Sequence, residues 1–150
     1  MLISLAAGFV LHVLMQRYLS VNGVGVNLLM LMTIEFSLIK SQEKGQVFGF
    51  FSGLIEDIVT AGLLGEKALL RTLAGFVAGK MKGKFSEGNF VFQFFMTFFL
   101  FFLYSYMAVV LRMIFSQPFS ASAGPILIYS AVNALAAPFV YKVMYFIYAK

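Results

Sequence analysis

Six apolar runs, separated by short polar breaks, occupy most of this 150-residue sequence. The runs cover residues 2–15, 28–39, 47–64, 68–81, 90–115 and 125–148. A transmembrane helix needs about 20 apolar residues, so six such helices with short loops would use nearly the whole chain. The first, second and fourth runs are short and must borrow flanking residues, such as 21–27 before the second, or tilt little. The fourth carries Arg71 near its start and could also stop partway across the membrane. The sequence therefore predicts an all-α integral membrane protein, a single six-helix transmembrane domain over residues 1–150.

The composition excludes a soluble globular domain. The chain is 61% hydrophobic and 11% charged, with a mean hydropathy of +0.93, whereas soluble domains average about 45–50% apolar and about 25% charged residues. A soluble domain of about 150 residues buries only about 70% of the surface that its unfolded chain exposes, which is too little to hide this much apolar area. The sequence contains no cysteine, so disulfides, thiolate nucleophiles and cysteine-based metal sites are excluded.

The charges are scattered in small groups between the apolar runs, which is typical of topology signals rather than of a nucleic-acid surface. With six spans and a cytoplasmic N-terminus, seven cations lie inside and four outside. The inside cations are Lys40, Lys44, Lys80, Lys82, Lys84, Lys142 and Lys150, and the outside ones are Arg17, Lys67, Arg71 and Arg112. The excess predicts that both termini are cytoplasmic. The cluster at 80–84 is read first as this orientation signal, and otherwise as a site for lipid headgroups or a partner.

Few ionisable residues lie inside or beside the apolar runs, where an unpaired charge costs about 3 kcal/mol or more. They are His12, Glu35, Glu56, Asp57 and Arg71. Glu56 and Asp57 are adjacent, so on a helix they point about 100° apart and cannot form an acid and base pair at one site. His12 has no second ligand at metal spacing and is predicted to be packed or interfacial. Glu35 is expected to reach the cytoplasmic interface beside Lys40, or else to face the bundle interior.

Small residues form a stripe on the third and fourth predicted helices. Gly49, Gly53 and Asp57 are spaced i, i+4 and i+8 on one helix face, and Gly75 and Gly79 repeat the small-xxx-small spacing on the next helix. Such faces let two helix backbones approach closely. The sequence favours packing within the bundle as the role of this stripe, with partner docking as the alternative.

Asp57 continues the glycine stripe, so its carboxylate needs a partner. The candidates are the N-terminal amides of the next helix, a hydroxyl of Thr60 or Thr72, and the guanidinium of Arg71. The glycine-punctuated segment 60–65 supplies a turn just after it. We therefore predict that Asp57 holds this turn on the start of the fourth helix, a structural role that needs no catalysis.

The last two runs are predicted to face lipid and each other. Residues 90–102 carry aromatic side chains on every face, which predicts a lipid-facing span and leaves a docking face for a partner's membrane helix as the alternative. In the last run, Asn133 is predicted to form an interhelical hydrogen bond, and Pro138 to kink the helix about a turn later.

The residues of the stripe resemble the signature of the MreD family, bacterial rod shape-determining membrane proteins. The resemblance rests on Gly45, Gly49 to Ile58, Gly62-Leu63-Leu64-Gly65, Ala68-Leu69 and Thr72 to Gly79, and chain length and six spans agree with it. The family usually begins its second helix with a proline, where this sequence has Val26-Asn27-Leu28. The predicted structural or partner-binding residues are Gly49, Gly53, Asp57, Gly62, Gly65, Thr72, Gly75 and Gly79.

The resemblance implies a non-enzymatic subunit of the elongation machinery in the bacterial cytoplasmic membrane, without cofactor, metal or nucleic acid. It implies binding to an MreC-like protein and, through it, association with MreB, RodA and a penicillin-binding transpeptidase during lateral wall synthesis. The helix grooves would receive the partner's transmembrane helix, with membrane lipid around the bundle.

The resemblance also implies a fold similar to that of the substrate-binding subunits of energy-coupling-factor vitamin transporters. A small-molecule binding subunit of that type is the alternative function. Such a module needs converging polar groups, and the candidates are scattered among Asn22, Asn27, Gln117, Ser120 and Ser122.

Overall fold

The computed structural model describes residues 25–60, 63–83, 89–115 and 123–148, which form five α-helices and no strand. The helices are α1 (Leu28–Ile39), α2 (Gln42–Thr60), α3 (Glu66–Lys80), α4 (Phe90–Ile114) and α5 (Ala123–Tyr148). The all-α prediction is confirmed for this part of the chain. The first predicted run, 2–15, and with it His12, lies outside the described residues.

Polar side chains define where two of these helices begin. The Asn27 side chain accepts a hydrogen bond of 3.1 Å from the backbone N–H of Met30, so α1 begins at Leu28 and residues 25–27 do not extend it. The expectation that the second predicted helix borrows the residues before it is therefore wrong for 25–27. Asn89 caps α4 in the same way through the N–H of Val91, at 3.0 Å.

The described helices do not form six full spans. Two segments, Phe90–Ile114 and Ala123–Ile147, are long and apolar enough to cross a membrane. α1 has 12 residues, about 18 Å at 1.5 Å per residue, against a hydrocarbon core of about 30 Å. α2 and α3 begin or end in polar turns, which lowers their hydropathy below that of a span.

α1 lies at the centre of the bundle. Every residue from 29 to 38 is buried. One core cluster joins α1 to the other helices through Ile34, Ala74, Leu100 and Ala137, and a second joins it through Phe36, which stacks on Phe48 with ring centroids 5.4 Å apart. The other helices therefore surround a short inner helix.

α4 and α5 pair with each other and turn long apolar faces outward. On α4, exposed side chains recur every three or four residues, which is the period of one helix face. They are Val91, Phe95, Phe99, Phe102, Tyr106, Val110 and Met113. This face of the aromatic helix is free to contact lipid.

The described charges separate to two ends of the bundle. We call the end that carries Lys40, Lys44, Lys80, Lys82 and Lys142 the lysine end, and the opposite end, with Glu56, Asp57 and Glu66, the carboxylate end. α1 and α3 run from the carboxylate end to the lysine end, and α2 runs in the opposite direction.

Candidate functional site

α2 and α3 pack antiparallel with almost no space between their backbones. A Cβ added to Gly53 would lie 2.5 Å from both Cα and N of Ala68, and one added to Gly49 would lie 2.8 Å from the carbonyl O of Arg71. Real Cβ atoms are essentially never that close to backbone, so neither position tolerates a side chain without separating the helices.

The glycines of α3 continue this contact toward the lysine end. A Cβ on Gly75 would lie 3.0 Å from the carbonyl C and O of Gly45, and one on Gly79 would lie 2.5 Å from Cα of Gln42. Gly45 also faces α1, where a Cβ would overlap the side chain of Ser37. The glycine faces are thus filled by the chain's own helices and are not open to another protein.

Asp57 binds the turn between α2 and α3. Its carboxylate accepts hydrogen bonds from the backbone N–H groups of Gly65 at 3.0 Å, Lys67 at 3.1 Å and Ala68 at 3.2 Å. These amides open α3, where the helix dipole favours an anion. Gly65 has φ +93, a left-handed conformation that glycine adopts without strain. Asp57 therefore holds the start of α3 on the end of α2.

The other groups that the sequence offered as partners of Asp57 have different roles. Thr72 donates to the carbonyl O of Ala68 at 2.7 Å, and Thr60 donates to the carbonyl O of Glu56 at 2.7 Å. Gly62 lies outside the described residues. Because backbone amides already satisfy the carboxylate, Asp57 needs no hydroxyl partner.

Arg71 pairs with Glu56 rather than with Asp57. Its Nη2 forms a short ion pair with Oε2 of Glu56, and both side chains are buried. The Nζ of Lys67 lies 3.1 Å from the other oxygen, Oε1, and donates to the hydroxyl of Thr60 at 2.7 Å. Glu56 and Asp57 therefore face different partners, as their angular separation predicts.

The ion pair of Arg71 with Glu56 forms a polar centre in the bundle. Two asparagines, Asn27 and Asn133, extend this polar centre to α1 and α5. Arg71 Nη2 donates to Oδ1 of Asn27 at 3.1 Å, and the backbone N–H of Asn27 donates to Oδ1 of Asn133 at 2.7 Å. Nδ2 of Asn133 donates to the carbonyl oxygens of Tyr129 at 2.9 Å and Gly25 at 3.3 Å. The interhelical bond predicted for Asn133 is present, and Pro138 lies inside one continuous helix.

Sequence reasoning did not predict that the residues of this polar centre bond to one another. Its members are Asn27, Glu56, Arg71 and Asn133, separated by up to 106 residues, so no spacing rule connects them. The available signal was that polar residues rarely sit in apolar runs unless they bind one another. Nε and Nη1 of Arg71 have no hydrogen-bond partner in the described structure.

A second ion pair joins α3 to α4 at the carboxylate end. Both oxygens of Glu66 accept from the guanidinium of Arg112, with Nη2 to Oε1 at 2.9 Å and Nε to Oε2 at 3.0 Å. Glu66 is buried and Arg112 is half-exposed. A two-pronged arginine to carboxylate contact fixes orientation as well as distance, so it aligns the start of α3 with the end of α4.

Glu35 faces the bundle interior, and the expectation that it reaches the interface beside Lys40 is wrong. Its side chain is fully buried, and neither carboxylate oxygen has a hydrogen-bond partner in the described structure. The reason is that α1 is covered on all faces, so a side chain one turn from its end has no path to water.

An apolar groove opens between α3 and α4, which we call the α3–α4 groove. It is lined by Leu70, Leu73, Ala74 and Val77 of α3 and by Leu100, Leu103, Tyr104 and Met107 of α4. It lies near the middle of both helices, between the Glu66 to Arg112 pair and the lysine end. Its lining suits an apolar occupant.

The described residues contain no group of three or more His, Asp or Glu side chains placed to hold a metal ion. Of the polar residues considered for a vitamin site, Asn27 is used within the bundle, and Asn22, Gln117, Ser120 and Ser122 lie outside the described residues. In the described part, Glu56, Asp57 and Glu66 thus join helices to one another.

The chain was compared with protein families, curated proteins and solved structures. No curated protein and no solved structure matches it. The family model described as rod shape-determining protein MreD matches residues 1–147. This match confirms the resemblance stated from the sequence, and it covers nearly all of the chain, so the chain belongs to the MreD family of rod shape-determining membrane proteins.

Proposed function

We propose that this chain is a non-enzymatic scaffold of the cell-elongation complex. It binds an MreC-like partner and regulates lateral peptidoglycan synthesis, acting indirectly on MreB, RodA and a penicillin-binding transpeptidase. Both termini face the cytoplasm, and the bundle crosses the bacterial inner membrane. Membership of a family of rod shape-determining proteins supports a role in cell shape, and the α3–α4 groove supports the proposed mode of partner binding.

The α3–α4 groove is the observation that carries this proposal. In lipid there is no hydrophobic drive between helices, so a membrane helix binds where side chains interlock and pack well. The groove is lined by large apolar side chains around one small residue, with the buried Ala74 at its base and the exposed Leu73 at its rim. It therefore suits the apolar face of a single transmembrane helix.

The packing of α2 on α3 supports the same mode. The glycine contacts and the amide bonds to Asp57 hold α3 rigidly against α2. A rigid wall loses little conformational entropy when a partner binds. The partner therefore docks against a preformed surface. The bound partner then passes the regulatory effect of this chain to the wall synthases.

The vitamin-binding alternative receives less support. A ligand pocket needs polar groups that converge on one cavity. The α3–α4 groove has one polar side chain, Tyr104, and in the polar centre Nη2 of Arg71 is already bonded to Glu56 and Asn27. Affinity purification in mild detergent distinguishes the two functions. The scaffold co-purifies with an MreC-like protein, and the transporter subunit co-purifies with ATPases and a coupling protein.

Photocrosslinking from the groove tests the binding mode. A photoreactive amino acid at Leu73 or Met107 is expected to crosslink to the MreC-like partner in membranes. The matched control is Phe139 on α5, which is 74% exposed and lies outside the groove. A partner that co-purifies with the chain but crosslinks from Phe139 and not from the groove overturns the proposed surface.

The cellular function is tested by filling the groove. Leu73→Trp is expected to round rod-shaped cells that depend on this chain, at an unchanged protein level, whereas Phe139→Trp leaves the cells rod-shaped. Rod shape retained in Leu73→Trp cells contradicts the groove as the partner's site. Loss of shape in both variants at normal protein level contradicts its specificity.

A further inference from the structure

The lysine end carries positive charge that the described structure does not neutralise. Its lysines come from four separate elements, namely the turn after α1, the start of α2, the end of α3 with its following turn, and the last turns of α5. They are Lys40, Lys44, Lys80, Lys82 and Lys142. Within the described residues none of them pairs with a carboxylate. Only one exposed acidic residue, Glu43, lies among them in the described part of the chain.

The carboxylate end is arranged in the opposite way. Lys67 and Arg71 both contact Glu56, and Arg112 contacts Glu66. Each described cation at that end therefore has a carboxylate partner. The chain uses ion pairs at one end and, within the described residues, leaves the ammonium groups at the other end without a carboxylate partner.

Specific contacts hold the lysine end in shape. Nζ of Lys82 donates to the carbonyl oxygens of Ile39 at 3.0 Å and Lys40 at 2.5 Å, which ties the turn after α3 to the end of α1. Nζ of Lys80 lies 4.4 Å from the centre of the Phe76 ring. That ammonium group thus sits at the boundary between apolar side chains and water.

A small crevice opens at the same end between α1, α4, α5 and the turn after α3. Its walls include Leu38, Met81 and Phe92, and its polar members are Lys82, Gln93 and Tyr141. Lys40 and Lys142 each lie within two residues of a wall residue. The crevice thus combines apolar walls with the side chain of Lys82, and Lys40 and Lys142 follow closely along the chain.

We propose that the lysine end binds the phosphate headgroup of an anionic phospholipid, with the start of an acyl chain against the crevice. A phospholipid matches both features, because its phosphate meets the ammonium groups and its chain meets the apolar walls. Exposed Val47, Phe50 and Phe51 beside this end place it at the lipid boundary. An acidic protein segment would match the lysines but would leave the apolar walls without an occupant.

Native mass spectrometry tests this site with the full chain in nanodiscs of equal parts phosphatidylglycerol and phosphatidylcholine. The wild-type chain is expected to retain phosphatidylglycerol in excess when the disc is removed. The double variant Lys40→Gln with Lys142→Gln is expected to lower that excess by about fivefold or more. The bonds to the carbonyl groups at the end of α1 come from Lys82 and not from the side chains of Lys40 or Lys142. The double variant is therefore expected to fold, and heating curves check this.

Two controls make the result specific. Lys40→Arg with Lys142→Arg keeps both charges and is expected to retain the wild-type excess. Lys67→Gln removes a charge at the carboxylate end and is expected to retain it as well.

Four results overturn the proposal, three from the lipid ratio and one from a co-purifying protein. The first is a wild-type lipid ratio equal to that of the disc, and the second is an unchanged excess in the Gln double variant. The third is an equal loss in the Arg double variant, which would show that shape and not charge matters. Retention of an acidic protein from native membranes, without any lipid excess, assigns the lysines to that protein and also overturns it. None of these readouts depends on the MreC-like partner.

Discussion

The α2–α3 pair and the α4–α5 pair are held together by different means. α2 and α3 meet backbone to backbone at glycines, with Asp57 bonded to the amides of the turn between them. α4 and α5 meet through large side chains, such as Phe101 against Tyr129 with ring centroids 5.6 Å apart, and turn other large side chains to lipid. The contact between α2 and α3 has no room for added side-chain atoms at Gly49 and Gly53, whereas the outer face of α4 and α5 is exposed and has room for larger side chains.

This difference assigns separate tasks to the two pairs. Glycine contacts give a fixed geometry because backbone cannot rearrange as side chains do. A surface of large flexible side chains supplies contact area and adapts to whatever covers it. We interpret α3, held by α2, as the rigid wall of the proposed α3–α4 groove, and α4 as its other wall, whose outer face meets lipid.

Gly53→Leu is expected to give the largest effect, because its Cβ alone would lie 2.5 Å from the backbone of Ala68. The destabilisation should exceed the about 1–3 kcal/mol typical of overpacking, since backbone cannot move aside. Fluorescence-detected size exclusion after heating measures it. The matched control is Gly124→Leu, because a Cβ at Gly124 meets nothing within 4 Å. Equal stability of the two variants would contradict backbone packing at Gly53.

Glu56→Gln is expected to follow, with a loss of about 3–5 kcal/mol, because it leaves the buried guanidinium of Arg71 without its carboxylate. Combining it with Arg71→Met removes the stranded charge and should recover part of the stability. The coupling between the two changes, read from a double-mutant cycle of heating curves, measures the pair. Additive losses in the double variant would rule out a direct pair.

Asp57→Leu should cost about 1–3 kcal/mol, because it leaves the N–H groups of Gly65, Lys67 and Ala68 without an acceptor. Asp57→Asn keeps one acceptor oxygen and should be milder. Heating curves of both variants compare hydrogen bonding with charge. An equal loss for the two would mean that the negative charge, rather than the bonds, is what matters.

Phe99→Ala should have the smallest effect, within about 0.5 kcal/mol, since its side chain is 59% exposed on the lipid face of α4. The neighbouring Leu100 is 3% exposed and belongs to the core, so Leu100→Ala should cost about 2–5 kcal/mol. The same heating assay compares them. A large loss from Phe99→Ala in lipid-free detergent would place that ring inside a contact.

Periodicity and hydropathy predicted much of the fold. The run 28–39 matches α1, and the runs 90–115 and 125–148 match α4 and α5 to within two residues. The start of α2 was set five residues late, at 47 instead of Gln42. A hydropathy pattern ends where polar residues begin, whereas a helix continues as long as its backbone bonds and a neighbour support it. Here Gln42 packs on Gly79, which no local pattern encodes.

The candidate site was predicted where its contacts are local. Asp57 and the amides that it binds are separated by 8 to 11 residues, so the sequence contained the whole arrangement. Arg71 was one of several candidate partners of Asp57 but pairs with Glu56, because the choice between these two carboxylates depends on how α2 is rotated against α3. The sequence favoured the interface over the bundle interior for Glu35, because its burial depends on helices that are distant in sequence.

The burial of α1 has a consequence for biogenesis. The helices α2 to α5 that surround it are synthesised later, so α1 leaves the ribosome before the surfaces that cover it exist. At 12 residues, with Glu35 inside it, α1 is a poor substrate for the translocon on its own. Its stable integration therefore depends on helices that are synthesised after it.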